Sequence, residues 1–275
     1  MVDVLVILDG ATDPGAASLA RANMPAYDRI AAAGTVEQVR WTPPGMEPGS
    51  ESAIPVILGW TPTAPIDRAA LEAVARGIPG DDWWRVDVFA EDGRRGSGAD
   101  VECAIHRIAS RQAPGGPRRT RRIGGHRLLV QGPLPLLPAN VRAWPRGIIP
   151  PRVLSDDTCV VAAPGGAAGL AQLLGARVVT PAGATGRSDT DLAAKLAAAR
   201  AADAARVVIH VGAPDEAAHD RDPDGKVAVL ERIDRELLAP LAETADSLTI
   251  TADHGCDPLT GEHDSDPVPL IRWQR

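Results

Sequence analysis

Lysine, cysteine and aromatic rings are all scarce in this 275-residue sequence, and each shortage excludes something. Among 29 basic residues only Lys195 and Lys226 are lysines. Alanine, glycine and proline are abundant beside them, so the arginine preference reads as compositional bias. Three cysteines (Cys103, Cys159, Cys256), odd in number and far apart, supply neither a disulfide framework nor a CxxC site. A reducing cytoplasm is the expected compartment. The few rings (six Trp, one Tyr, one Phe) do not interleave with basic residues, which argues against stacking on nucleic acid. Long apolar runs are missing too. Residues 4–8 are far too few for a signal h-region or a membrane span, and no basic n-region precedes them. The expectation is a soluble protein with no membrane and no nucleic-acid partner.

What is present begins with an uneven charge. The formal total is −7, yet residues 101–150 hold nine arginines against one acid, Glu102. That window is +8 inside a remainder of −15. An acidic total does not suit a chain that coats a polyanion. The basic block has to serve something local.

Apolar patterning predicts strands over 2–8, 36–41, 85–90, 127–131, 177–180, 207–211 and 248–251, with 158–163 either a strand or the start of a helix. Helices are expected over 24–33, 99–111, 166–174, 190–204 and 224–238, with Ser188-Asp189 capping the fourth. Ser50-Glu51-Ser52 opens the apolar run 53–58 as an N-cap would. Residues 113–125 read as a Pro/Gly/Arg-rich loop and 132–152 as a proline-rich return. Strands alternating with helices predict an α/β fold with a mainly parallel sheet. The expected division is a discontinuous core, 1–81 and 151–275, with a small basic α+β cap inserted at 82–150. Trp83-Trp84 fall at that junction as packing or hinge residues.

Three predicted strands end in metal-ligand types, and active sites of open α/β sheets gather at carboxyl ends of strands. Strand 2–8 runs into Asp9, strand 207–211 precedes Asp215 and His219, and strand 248–251 runs into Asp253-His254, with His263 beyond. Mixed carboxylate and imidazole donors suit Mn²⁺ or Zn²⁺. Two clusters would make a two-metal site, which clamps the attacking and leaving oxygens of a phosphoryl transfer. Ser50, after Pro48-Gly49, is a nucleophile candidate at a helix N-terminus; alone it would be an ordinary cap.

Seven segments carry a more specific likeness: Leu8-Asp9-Gly10, Pro48-Gly49-Ser50-Glu51-Ser52-Ala53, Leu58-Gly59-Trp60-Thr61-Pro62, Gly183-Ala184-Thr185-Gly186, Asp215-Glu216-Ala217-Ala218-His219-Asp220, Thr251-Ala252-Asp253-His254 and His263-Asp264-Ser265-Asp266-Pro267-Val268-Pro269. In this order they resemble the archaeal-type cofactor-independent phosphoglycerate mutases of the alkaline phosphatase superfamily, over about 1–65 and 155–272. The resemblance implies an alkaline-phosphatase-like core whose sheet is sandwiched by helices. It implies one divalent ion on Asp215, His219 and His263 and a second on Asp9, Asp253, His254 and the Ser50 hydroxyl, with Mn²⁺ or Zn²⁺ expected and Mg²⁺ an option. Ser50 would become phosphoserine. Helical i,i+4 spacing would put Asp215 and His219 on one face.

The sequence also departs from that family. Ile54 stands four residues after Ser50, where the family usually has histidine, and the insert is short and lacks an Asp-Thr-Asp-Pro-His stretch. A mutase must hold its dephosphorylated substrate while excluding water, which a small cap makes harder. The expected function is therefore phosphoryl transfer through phosphoserine on a small phosphorylated metabolite, with net hydrolysis preferred to intramolecular mutase action. A degenerate anion-binding protein on the same scaffold is the alternative from another class. Expected substrate contacts are Arg127, His126, Arg142 and Arg187. Cys256, two residues after His254, reads as a small buried thiol, since the ligand set is complete without it.

Overall fold

Residues 4–8 and 207–211 are apolar at nearly every position, the pattern of strands covered on both faces. The structure, a computed structural model, describes residues 3–110, 119–134 and 136–275. Its first stretch holds β1 (Asp3–Leu8), α1 (Ala17–Arg21), α2 (Pro25–Ala33), β2 (Thr35–Val39), α3 (Ser50–Ile57) and α4 (Arg68–Ala75). Next come β3 (Trp83–Val88), α5 (Gly98–Ser110), β4 (Thr120–Gly124), β5 (Arg127–Gln131) and β6 (Val141–Ala143). The chain continues through β7 (Thr158–Val161), α6 (Gly166–Leu174), β8 (Arg177–Val179), α7 (Leu192–Arg200) and β9 (Arg206–Val211). It closes with α8 (Ala213–His219), α9 (Pro223–Ile233), α10 (Ala239–Ala242), β10 (Ser247–Ala252), β11 (Gly255–Cys256), β12 (His263–Asp264) and β13 (Val268–Gln274).

The main sheet has the order β2-β13-β10-β1-β9-β7-β8. Its five strands from β10 to β8 run parallel, and β13 and β2 add an antiparallel edge. Period-two alternation sends Val4, Val6, Leu8, Val207, Ile209 and Val211 to one core cluster. Leu5, Ile7, Val160 and Val208 go to a second cluster on the opposite face. Helices α2, α7 and α9 cover the first, and α3, α4 and α6 the second. This is the alkaline-phosphatase-like α/β sandwich expected from the sequence.

A smaller antiparallel sheet, β4-β5-β3-β6, uses the same alternation to look two ways. Val86, Val88, Leu128 and Val130 pack under α5. Trp83 and Leu129 pack on Ala69 and Ala73 of α4, which docks this sheet on the main one. Arg85 and Arg127 share the parity of Trp83 and Leu129, so both face the main sheet.

Several local expectations need correction. Ser50 is the first residue of α3 and caps nothing; Gly49 precedes the helix without a side-chain cap. The Ala-rich helix starts at Leu192, capped by Asp191, whose carboxylate accepts from Ala194 N at 2.8 Å. Part of the supposed loop 113–125 is β4, while residues 111–118 lie outside the description. Neither α4 nor β13 was expected. Among the described residues, no helix is long and apolar enough to cross a membrane.

Candidate active site

Strand register assembles the site. Leu8 is level with both Ala252 and Val211, so three strands end together and Asp9 and Asp253 emerge as neighbours. Asp253 Oδ1 accepts from Gly10 N at 3.1 Å and from His254 N at 3.0 Å. Gly10 has φ +58°, and a Cβ there would stand 2.7 Å from Asp215 Oδ1. Glycine alone lets the Asp215 carboxylate come this close.

Asp215 lies in the first turn of α8 and His219 in its last, with His219 Nε2 3.3 Å from Asp215 Oδ2. His263 on β12 sends Nε2 to within 3.2 Å of Asp215 Oδ1 and 2.9 Å of His219 Nε2. On the other side of Asp9, His254 Nε2 is 3.3 Å from Asp9 Oδ1 and 3.6 Å from Asp253 Oδ2. The Ser50 hydroxyl donates to Asp9 Oδ1 at 3.0 Å and lies 3.4 Å from His254 Nε2. All seven residues singled out as ligands or nucleophile therefore converge.

Sequence reasoning missed His210. It sits one residue before the end of β9, 7% exposed, with Nε2 3.3 Å from Asp9 Oδ2. Its only signal was membership of a strand aimed at Asp215. Charge is dense here. Burial and Asp215 push Asp9 up, but the adjacent His210 and His254 imidazoles outweigh them and hold it near 2. Burial and adjacent Asp9 push Asp253 up to about 6. Burial would pull His254 down, yet Asp253 and Asp9 raise it to about 10.

The residues fit divalent cations. His210 Nε2, Asp215 Oδ1 and Asp253 Oδ2 are buried with no hydrogen-bond partner, a costly state for polar atoms that a cation would relieve. The side chains fall into three sets whose ligand atoms lie within 4.8 Å of one another: Asp215, His219, Cys256 and His263; Asp9, Asp215 and His254; Asp9, His210 and Asp253.

Ser50, Asp9, Asp215, His210, His219 and His263 open into a cavity of 200 Å³. The same lining carries Arg68, Arg85 and Arg127 with Glu51, Glu72 and Glu216. Arg68 starts α4, stacks 3.6 Å above the Trp144 ring and pairs with Glu51. Burial and neighbouring Arg85 push it down to about 9. Arg85 pairs with Asp87 at 3.1 Å and Glu72 at 3.5 Å. Glu216 of α8 holds Arg95 at 2.9 Å and Arg127 at 3.2 Å.

Of the four expected substrate contacts, Arg127 lines this cavity and three do not. His126 is buried outside that lining, 3.8 Å from Asp87, and burial drops it to about 4. Arg142 lies over the Phe89 ring at 5.0 Å. Arg187 is 61% exposed and spends its charge on Asp220 at 3.0 Å. Ile54, in place of the usual histidine, is 2% exposed inside the second core cluster.

The fold and the converging donors define a metal-binding α/β enzyme of the alkaline-phosphatase-like class. The Metalloenzyme superfamily model matches residues 1–275, and the chain belongs to that family. The 2,3-bisphosphoglycerate-independent phosphoglycerate mutase 1 of Archaeoglobus fulgidus is 42% identical over 118 residues, covering 41% of this chain and 29% of that protein. The corresponding enzyme of Methanopyrus kandleri is 41% identical over 111 residues, 38% of this chain and 26% of its own. Each match thus spans under a third of the relative's length. The PH0037 protein of Pyrococcus horikoshii superposes with a TM-score of 0.78 at 22% identity, over 99% of this chain and 87% of that one. Cofactor-independent phosphoglycerate mutase from Thermoplasma acidophilum gives 0.56 at 18% identity, over 100% and 90%. These two likenesses bear on the fold.

Proposed function

We propose that this chain transfers a phosphoryl group from a small phosphomonoester to Ser50 and releases it to water. The observation that carries the reading is the Ser50 hydroxyl, held between Asp9 and His254 beside unpartnered ligand atoms and facing an arginine wall. Asp215, His219 and His263 would hold one divalent cation; Asp9, Asp253, His254 and Ser50 would hold another, with Mn²⁺ or Zn²⁺ the best matches and Mg²⁺ also admissible. When bound, such a pair supplies positive charge to the attacking and leaving oxygens and activates a weakly acidic hydroxyl. Asp9 orients the hydroxyl by accepting its proton in a hydrogen bond. Arg68, Arg85 and Arg127 offer planar forks to phosphate or to a second anionic group. Glu216 keeps Arg127 aimed inward.

Residues 82–150 act in this reading as a cap, and among described residues only Arg85 and Arg127 of that unit reach the cavity. So thin a cover gives water access to phosphoserine, which favours hydrolysis. The relatives named as mutases favour a second reading, return of the phosphoryl group to another hydroxyl of the same substrate. Localisation in the cytoplasm belongs to the same proposal.

The experiment is phosphate release from an aryl phosphate by the Mn²⁺- or Zn²⁺-loaded chain. Turnover is expected with the unmodified protein and background release with Ser50→Ala. Retention of most turnover by Ser50→Ala would overturn the nucleophile assignment. With 3-phosphoglycerate, formation of 2-phosphoglycerate without free phosphate would establish the mutase outcome instead.

A further inference from the structure

Cys256 is unused in the function proposed above. It lies on β11 directly opposite His263 on β12. Opposed residues of an antiparallel pair put their side chains on one face, with Cβ atoms about 4.5–5.5 Å apart. The residue is fully buried, and its sulfur is one of four ligand atoms, with those of Asp215, His219 and His263, lying within 4.8 Å of one another. In the same group Asp215 Oδ1 is buried without a hydrogen-bond partner. The backbone on both sides of the sulfur is pinned. Cys256 N donates to Thr12 O at 2.8 Å, and the Cys256 carbonyl accepts from Lys226 Nζ at 2.7 Å. A fully buried ammonium therefore stands beside a thiol that faces two imidazoles and a carboxylate.

We infer that Cys256 is a fourth protein ligand of the cation held by Asp215, His219 and His263. The inference rests on the metal-site reading under Proposed function and adds a ligand to it. On binding, the thiol S–H bond breaks, its proton leaves to solvent, and the sulfur lone pair forms the bond to the cation. An Asp-His₂-Cys donor set selects zinc over manganese or magnesium, because thiolate is a soft donor and those two prefer oxygen. Four protein donors also complete a tetrahedral shell, the arrangement of a closed zinc site. Any exogenous oxygen would then have to enter as a fifth ligand, leaving the Asp9–Asp253–His254 side as the more open one.

Cobalt(II) reports the difference directly, since a thiolate ligand adds an intense near-ultraviolet sulfur-to-cobalt charge-transfer band to the weaker visible d–d bands. The full chain is stripped of metal and titrated with Co²⁺. The charge-transfer band is expected in the unmodified protein and in Cys103→Ser and Cys159→Ser, and is expected to vanish in Cys256→Ser and Cys256→Ala. The unmodified spectrum alone decides the matter should the Cys256 variants fail to fold. Visible d–d bands without the charge-transfer band would overturn ligation by Cys256 and leave the cation site standing. No cobalt spectrum at all would overturn the cation site, and this inference with it.

Discussion

The only two lysines of the chain are both fully buried, and each holds a backbone carbonyl beneath the ligand cluster. Lys195 Nζ donates to His210 O at 2.9 Å. Lys226 Nζ bonds Thr12 O at 2.9 Å and Cys256 O at 2.7 Å and lies 3.4 Å from Asp13. The compact ammonium of lysine fits where the longer, wider arginine fork would not pack, so both lysines of the chain stand under the site. His210 is the residue these contacts present to Asp9. Groups that orient a metal-ligating carboxylate typically affect metal affinity or activity by about 10–100-fold. His210→Ala is therefore expected to lower metal-dependent phosphate release by about that factor while melting temperature in the absence of metal changes little. Equal activity in the variant would show that Asp9 needs no partner there. At this scale the converging side chains Asp9, Asp215, His219, Asp253 and His254 were legible because each sits near a strand end or at a helical spacing, and His263 because it follows Asp253-His254. Arg68 and Arg85 were not, because their approach to Ser50 depends on how α4 and β3 dock.

Elements show where pattern reading ran out. Helix α6 crosses α4 so closely that a Cβ on Gly169 would stand 1.9 Å from Leu71 O. Nothing around Gly169 in the sequence marks it as different from other glycines of an Ala/Gly-rich helix. The requirement belongs to a partner helix, α4, that the pattern reading did not place. Strand β13 was missed for another reason: Pro267 and Pro269 flank and enter it, and proline is normally kept to strand starts and edges. Here Pro269 is the second residue, and its carbonyl still accepts from Thr251 Oγ1 at 3.0 Å. The α4–α6 contact has a functional consequence, since α4 carries Arg68 and Glu72 and the first residue of α6, Gly166, also lines the cavity. Gly169→Ala is expected to destabilise the chain by about 1–3 kcal/mol, the usual cost of overpacking. It should also raise KM for an aryl phosphate more than it lowers kcat, because the arginine wall moves while Ser50 and its partners stay. Denaturant melts and Michaelis–Menten curves on the same preparation check both.

The whole molecule joins the acid- and histidine-rich cluster at the strand ends to the smaller, arginine-bearing sheet, but not in the way the charge count alone suggested. Of the nine arginines at 101–150, Arg127 lines the cavity, and its companions there, Arg68 and Arg85, come from outside that window. Arg146 instead ties the unit to the start of α4 through Asp67 at 2.6 Å, and Arg122 spans toward Glu102 at 3.6 Å. Charge counting pointed to the segment that supplies Arg127; which arginines turn inward was decided by strand parity and by carboxylates such as Glu216. The same unit carries a pH dependence through His126. Burial holds this imidazole at about 4, against an ordinary value of 6.5, with Asp87 opposing and Arg127 and Arg95 assisting. Between those values the unfolded chain binds a proton at His126 that the folded chain does not. Stability therefore rises with pH across that window, and the contribution is lost as pH falls from 6.5 toward 4. Asp253, raised to about 6, titrates in the same range with the opposite sign, so the informative quantity is a difference between variants. Melting temperatures of the unmodified chain and His126→Gln are expected to diverge as pH falls from 7 to 5, with the unmodified chain losing more. Parallel curves over that range would mean that His126 is protonated in the folded protein as readily as in the unfolded chain.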